Sequence, residues 1–186
     1  MASDGYDVDA LLAAERAGFE TRFAEEKVDG WGEDDNGVGW KDTTVDAAIA
    51  LAREIMARCH DELGIDLPAP DLCAGYRGEI AIDWDFGKSG TGGNFKGMMA
   101  IDVDEDGHAV YVADPDMDVN HWKDATAEYK MEWNEQRVRE VIAPDAAGRS
   151  ITVAKGIATP AIVAGRMVNF ARENRELVTG PPGWNR

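Results

Sequence analysis

The sequence predicts an α+β protein in which helices cover one face of a three- to four-stranded antiparallel meander. Three observations carry this. An apolar stripe at helical spacing runs from Val45 to Leu63, three segments between Glu79 and Ala113 alternate apolar and polar residues, and helical periodicity returns after residue 118. With 186 residues, 44% hydrophobic and 30% charged, the chain has single-domain size and can bury a core without metal or disulfide support. Within one domain the expected division is an acidic body over 1–120, C-terminal helices over 121–178 and a tail over 179–186.

The first helix is expected over 7–27, where Val8, Leu11, Leu12, Phe19 and Phe23 fall on one face. "VDGWGEDDNGVGW" then breaks every periodicity with four glycines and reads as a loop holding Trp31 and Trp40. Thr43 or Thr44 is the expected N-cap of the second helix, whose stripe of Val45, Ala48, Ile49, Ala52, Ile55, Met56, Cys59 and Leu63 ends at Gly64. Pro68 and Pro70 prevent its continuation. "EIAIDWDF", "MMAIDV" and "HAVYVA" follow as half-buried strands with one wet face, the last expected to offer Val110 and Val112 to the core shared with Met99, Ile101 and Val103. Residues 118–142 read as a helix, 150–157 fit neither period, and 159–177 read as a helix with Thr159 as N-cap and Pro160 at its first position. The tail "GPPGWNR" is expected to be extended.

The net charge is −17, and it is unevenly spread. Residues 1–136 hold 32 acids against 11 bases, whereas residues 137–186 hold 4 against 8, so a −21 body opposes a +4 tail. Such a body repels phosphate backbones and anionic lipid, which argues against direct nucleic-acid or membrane binding and for a basic protein partner. Solubility or adaptation to high salt is the competing account of the same charge. The opposed tail also allows a homo-oligomer held through residues 145–186. No apolar run reaches the length of a membrane span, and the acidic start "MASDGYDVDA" is unlike a secretory leader, so a cytoplasmic location is expected. Two cysteines, Cys59 on a helical stripe and Cys73 in a loop, are expected to remain thiols there.

Asp102, Asp104, Asp106 and Gly107 have the opening spacing of a calcium loop. The twelfth position, which needs a bidentate acid, is Ala113, and both flanks alternate like strands. Asp-Gly between such flanks is a hairpin signal, so a turn is expected, and Asp102, Asp104 and Asp106 stay only weak metal candidates. Asp83 and Asp85 share the wet face of one strand, and antiparallel pairing would bring Asp102 and Asp104 beside them. Crowded carboxylates call for solvent and salt, a basic partner or a divalent cation; with the last, Asp83, Asp85, Asp102 and His108 would form a metal-dependent hydrolase. "GKSGTGGN" at 87–94 lacks the spacing and following helix of a phosphate loop. The acids of "DPDMDVNH" at 114–121 suit the start of a helix better than a metal site. No nucleophile context and no cofactor motif is visible. Trp31 and Trp40, beside Glu33, Asp34 and Asp35, form either a contact surface or a lid folded back on the core.

The loop Gly30-Trp31-Gly32, the alanine-rich helix "VDAAIALAREI", the Pro68 and Pro70 pair and the strand "GEIAIDW" together resemble a loosely defined set of small bacterial proteins of unknown function. The resemblance covers under half of the chain and implies no catalytic residue. The expected function is therefore non-catalytic: an acidic interaction module, such as an inhibitor or nucleic-acid mimic from a mobile element, docking on a basic surface. Trp31 and Trp40 would be its apolar anchors, and Glu33, Asp34, Asp35, Asp83, Asp85, Asp102 and Asp104 its electrostatic contacts.

Overall fold

A computed structural model describes residues 5–32, 36–87, 97–115, 139–144 and 150–180, and over Asp114, 139–144 and 150–158 it describes the backbone alone. The fold is α+β. Helices α1 (Val8–Arg22) and α2 (Asp42–Leu63), joined by a segment with a short 3-10 turn (Glu25–Lys27), precede strands β1 (Asp71–Ala74), β2 (Ile80–Phe86), β3 (Gly97–Val103) and β4 (Ala109–Asp114). Strands β5 (Arg139–Pro144) and β6 (Ser150–Ala158) and helices α3 (Pro160–Glu173) and α4 (Arg175–Val178) complete the chain.

The first four strands form the antiparallel meander, and the β5–β6 hairpin extends it through β6 to a six-stranded sheet in the order β1-β2-β3-β4-β6-β5. Alternation along the meander sets its two faces. Ile80, Ile82, Trp84 and Phe86 of β2, Met99, Ile101 and Val103 of β3, and Ala109, Tyr111 and Ala113 of β4 are buried beneath α1, α2 and α3. In β4 this reverses the expected facing of Val110 and Val112, because the register sets Ala109, Tyr111 and Ala113 opposite the core residues Val103, Ile101 and Met99. Asp83, Asp85 and Asp102 project from the other face.

Each helix is tied to its position by identifiable groups. Asp7 caps α1, its carboxylate accepting from the Ala10 N–H at 2.9 Å. Gly64 closes α2 in the left-handed conformation (φ 62°), with its own N–H bonded to the His60 carbonyl and that of Ile65 to the Cys59 carbonyl. Arg175 of α4 donates to the Leu63 carbonyl at 2.7 Å, placing a cation at the negative end of α2. Glu15, 6% exposed, binds Arg22, about two turns further along α1, at 2.6 Å. The same carboxylate accepts the Leu72 N–H at 3.0 Å, and Arg22 donates to the Leu72 carbonyl at 3.0 Å.

Several expectations need correction. Helix α2 begins at Asp42, so neither Thr43 nor Thr44 is its N-cap; the Lys41 carbonyl accepts from the Thr44 and Val45 N–H groups instead. Thr44 points inward, and its buried Oγ1 has no hydrogen-bond partner among the described residues. Thr44→Val is therefore expected to stabilise the protein by about 1 kcal/mol, read from the midpoint of urea unfolding. Thr159 does occupy the N-cap position of α3, with Pro160 following, but its side chain makes no capping bond. Residues 139–142 are strand rather than the end of a helix, because Val141 and Ile142 pair with Val153 and Thr152 of β6 across a short connection. The expected helix over 118–138 otherwise lies outside the described residues. The ambiguous stretch 150–157 is strand β6, so the C-terminal third contributes strands as well as helices. Strand β1, four residues after Pro70, is an addition to the expected meander.

Helix α3 buries Val163, Ala164, Met167, Val168, Phe170 and Ala171 within its own chain, and Arg172 reaches Glu62 of α2 at 3.5 Å. The basic segment thus engages the acidic body intramolecularly. Cys59 and Cys73 are free thiols. Burial pushes the Cys59 thiol up to about 12 and raises that of Cys73, so neither is a ready nucleophile. Among the described residues, no helix is long and apolar enough to cross a membrane.

Candidate functional site

Two places gather the residues singled out by the sequence: the polar face of the meander and the glycine loop between α1 and α2.

On the meander, the register pairs Asp102 with Ala81, Asp83 with Ala100, and Asp85 with Met98. Asp83 and Asp102 are consequently diagonal neighbours, as antiparallel pairing predicts. Asp71 of β1 lies directly opposite Asp83 on the other side. Desolvation, followed by the charges of Asp102 and Asp85, raises the Asp83 carboxyl to about 7, so this group holds its proton far above the usual carboxylate range. Asp83 thus lies between Asp102 and Asp85 on this face, Asp83 and Asp85 half-buried and Asp102 exposed, while Asp85 and Asp102 stand four residues apart along the pairing.

Asp104 belongs elsewhere. Its Oδ1 accepts the N–H groups of Asp106 at 3.0 Å and His108 at 2.8 Å, while its carbonyl accepts from Gly107 at 3.0 Å. Gly107 has φ 79°, the positive value that closes a tight turn between β3 and β4. The Asp102–Ala113 segment is therefore a hairpin, with strands rather than helices at both ends. Asp104, Asp106 and His108 could each turn one ligand atom to within 4.8 Å of the others. Their setting is exposed, Asp104 is already committed to the turn, and His108 Nδ1 lies 3.3 Å from its Oδ2. The fit to a divalent cation is poor, since an oxygen shell of six or more would need solvent to supply half of it. Asp83, Asp85 and Asp102 belong to no three-ligand cluster among the described residues, and His108 stands at the turn rather than beside them.

The glycine loop is built more tightly than its composition suggests. Gly30 donates to the Gly37 carbonyl at 2.8 Å and Gly37 to the Trp31 carbonyl at 2.9 Å, forming an antiparallel bridge. The Trp31 ring lies against Gly37, where a Cβ would come within 2.7 Å of the indole. A Cβ on Gly39 would meet the Lys27 carbonyl at 2.6 Å, so both positions require glycine for close approach rather than for flexibility. The Asp29 carboxylate accepts the Gly39 N–H at 2.8 Å, and Val38 donates to the Tyr76 carbonyl in the β1–β2 connection at 2.9 Å.

The two loop tryptophans have opposite fates. Trp40 is 3% exposed, packs edge-on against Phe19 at 5.0 Å and donates its indole N–H to the Phe23 carbonyl at 2.7 Å. It is a core residue, and the expectation that it anchors a partner is corrected. Lys27 closes its outer side, with Nζ 4.6 Å from the ring centroid and 2.9 Å from Asp42. Trp31 is half-buried: its indole N–H donates to the Val38 carbonyl at 2.9 Å and its ring meets Tyr76 edge-on at 5.4 Å. Glu33, Asp34 and Asp35 lie outside the described residues, as do the loop over 88–94 and the acids at 116–118.

Val28, Val38 and Tyr76, exposed at 65%, 43% and 41%, were not visible as site residues in the sequence. The only local sign was an apolar residue between two glycines at Val38. Comparison of the chain with protein-family models, with curated proteins and with solved structures yields no match.

Proposed function

We propose that this protein is a non-catalytic, acidic interaction module of the cytoplasm that docks on a basic protein surface, in the manner of an inhibitor or nucleic-acid mimic carried by a mobile element. The observation that carries the reading is the electrostatic bias of the 25–42 segment, which holds seven acids and two lysines beside a rigid, partly exposed Trp31. Both lysines are already matched by acids of the same protein, Lys27 by Asp42 and Lys41 by Glu105. By sequence the segment is therefore strongly negative next to an apolar residue, a combination suited to electrostatic steering followed by apolar contact. Carboxylates on the meander's polar face add to the field at longer range.

The test is capture from host cells at low salt, elution in a salt gradient, and titration of the purified partner. Between about 0.05 M and about 0.5 M salt the affinity is expected to fall at least about tenfold as the charges are screened. An affinity that stays constant across that range would remove electrostatic docking as the function.

A further inference from the structure

Val28, Val38 and Tyr76 are three of the four large apolar side chains most exposed among the described residues; Val38 and Tyr76 contact Trp31, and Val28 lies on the stretch of chain that passes the Val38–Gly39 backbone. Val38 and Tyr76 are joined through the backbone, the Trp31 and Tyr76 rings touch at 66°, and the Val28 backbone passes close against Gly39. Exposed apolar residues scattered singly are ordinary, but a contiguous group on a strongly charged chain marks a contact site. This group is also preorganised. The Trp31 ring is held by its bond to the Val38 carbonyl, by Gly37 beneath it and by the Tyr76 edge, so little side-chain freedom is lost on binding.

The same segment shows what an indole in this setting accepts. On Trp40, one layer deeper, an ammonium group sits over the ring and simultaneously meets a carboxylate. Trp31 offers a ring two residues from Asp29, whose carboxylate is held at the Gly39 N–H, in a segment with more acids than bases. Resting on the docking reading above, we propose that Trp31, Tyr76, Val28 and Val38 form the anchor for an arginine or lysine side chain of a basic partner protein. The long stem of such a side chain lies along apolar carbons while its charged head stays among acids and water. A second copy of this chain would bring another −17 charge to the contact and is disfavoured.

The test uses the full chain, labelled with 15N, and two fluorescent peptides: one rich in arginine, the other with each arginine replaced by neutral citrulline of the same shape. The arginine peptide is expected to bind and to shift the Trp31 indole and the Val28 and Val38 amide resonances. Citrulline, Trp31→Ala and Val28→Lys are each expected to weaken binding at least about tenfold. Val28 is largely exposed, so the lysine variant keeps the fold even if removal of Trp31 loosens the loop. Salt-dependent binding unchanged by either variant, with shifts on Asp83, Asp85 and Asp102 instead, would overturn the anchor while leaving the docking reading intact. No binding of the arginine peptide at low salt would overturn both. Self-association without peptide, abolished by Val28→Lys, would replace the basic partner with a second copy.

Discussion

Trp40→Ala is expected to destabilise the protein by about 3–5 kcal/mol, the range for removing a buried aromatic side chain from a packed core. Its ring fills the space between α1 and the loop, edge-on to Phe19, and its indole N–H satisfies the last carbonyls of α1 at Phe23. Truncation would leave a cavity, an unpaired carbonyl and Lys27 without the ring beneath it. Trp40→Phe, which fills most of the space but abandons the Phe23 carbonyl, should cost about 1–2 kcal/mol. Urea unfolding monitored by circular dichroism measures both. Were the ring a surface contact, alanine would change stability by under about 0.5 kcal/mol, and that outcome would return Trp40 to the docking face.

Asp83→Asn is expected to stabilise the protein at pH 8 by about 2–4 kcal/mol and to have almost no effect at pH 4. The folded carboxyl titrates near 7, above its ordinary value of 3.8, because it is desolvated and faces Asp102 and Asp85. Between these two values the folded chain holds a proton that the unfolded chain has released, so stability falls as pH rises through that interval. Below about 4 both states are protonated and the cost vanishes; above 7 it is fully present. Asparagine keeps the shape and removes the ionisation, so the variant's stability should lack this decline. Unfolding midpoints of the two proteins from pH 4 to pH 8 should diverge steadily, and parallel curves would mean that Asp83 is ionised in the folded protein at ordinary pH.

What could be read from the sequence depended on how strongly a period repeats. The α2 stripe spans about five turns and the β2 and β3 segments alternate without exception, so type, order and buried face are evident for both. In β4 the larger apolar side chains Val110 and Val112 suggest the wrong inward face, and only the pairing of Tyr111 with Ile101 decides it. Strand β1 is four residues long, too short for alternation to register, and only pairing with β2 defines it. Val141 and Ile142 suit a helical stripe and a strand equally, and the decision came from β6 lying alongside. Trp31 and Trp40 have nearly the same glycine-rich neighbours; Phe19, distant in sequence, is what draws one of them inward. The meeting of Asp83 with Asp102 followed from strand pairing alone. The departure of Asp104 did not, since it depends on a side chain choosing the turn's backbone over the sheet's face.

The contact of Glu15 and Arg22 with Leu72 bears on how the sheet ends. Strand β1 is outermost, and a terminal strand ordinarily exposes amide and carbonyl groups to which any extended peptide can add itself. Here both such groups of Leu72 are occupied by a carboxylate and a guanidinium from α1. A stray chain arriving at that margin finds the Leu72 position already taken, which leaves this short strand a poorer template for further pairing.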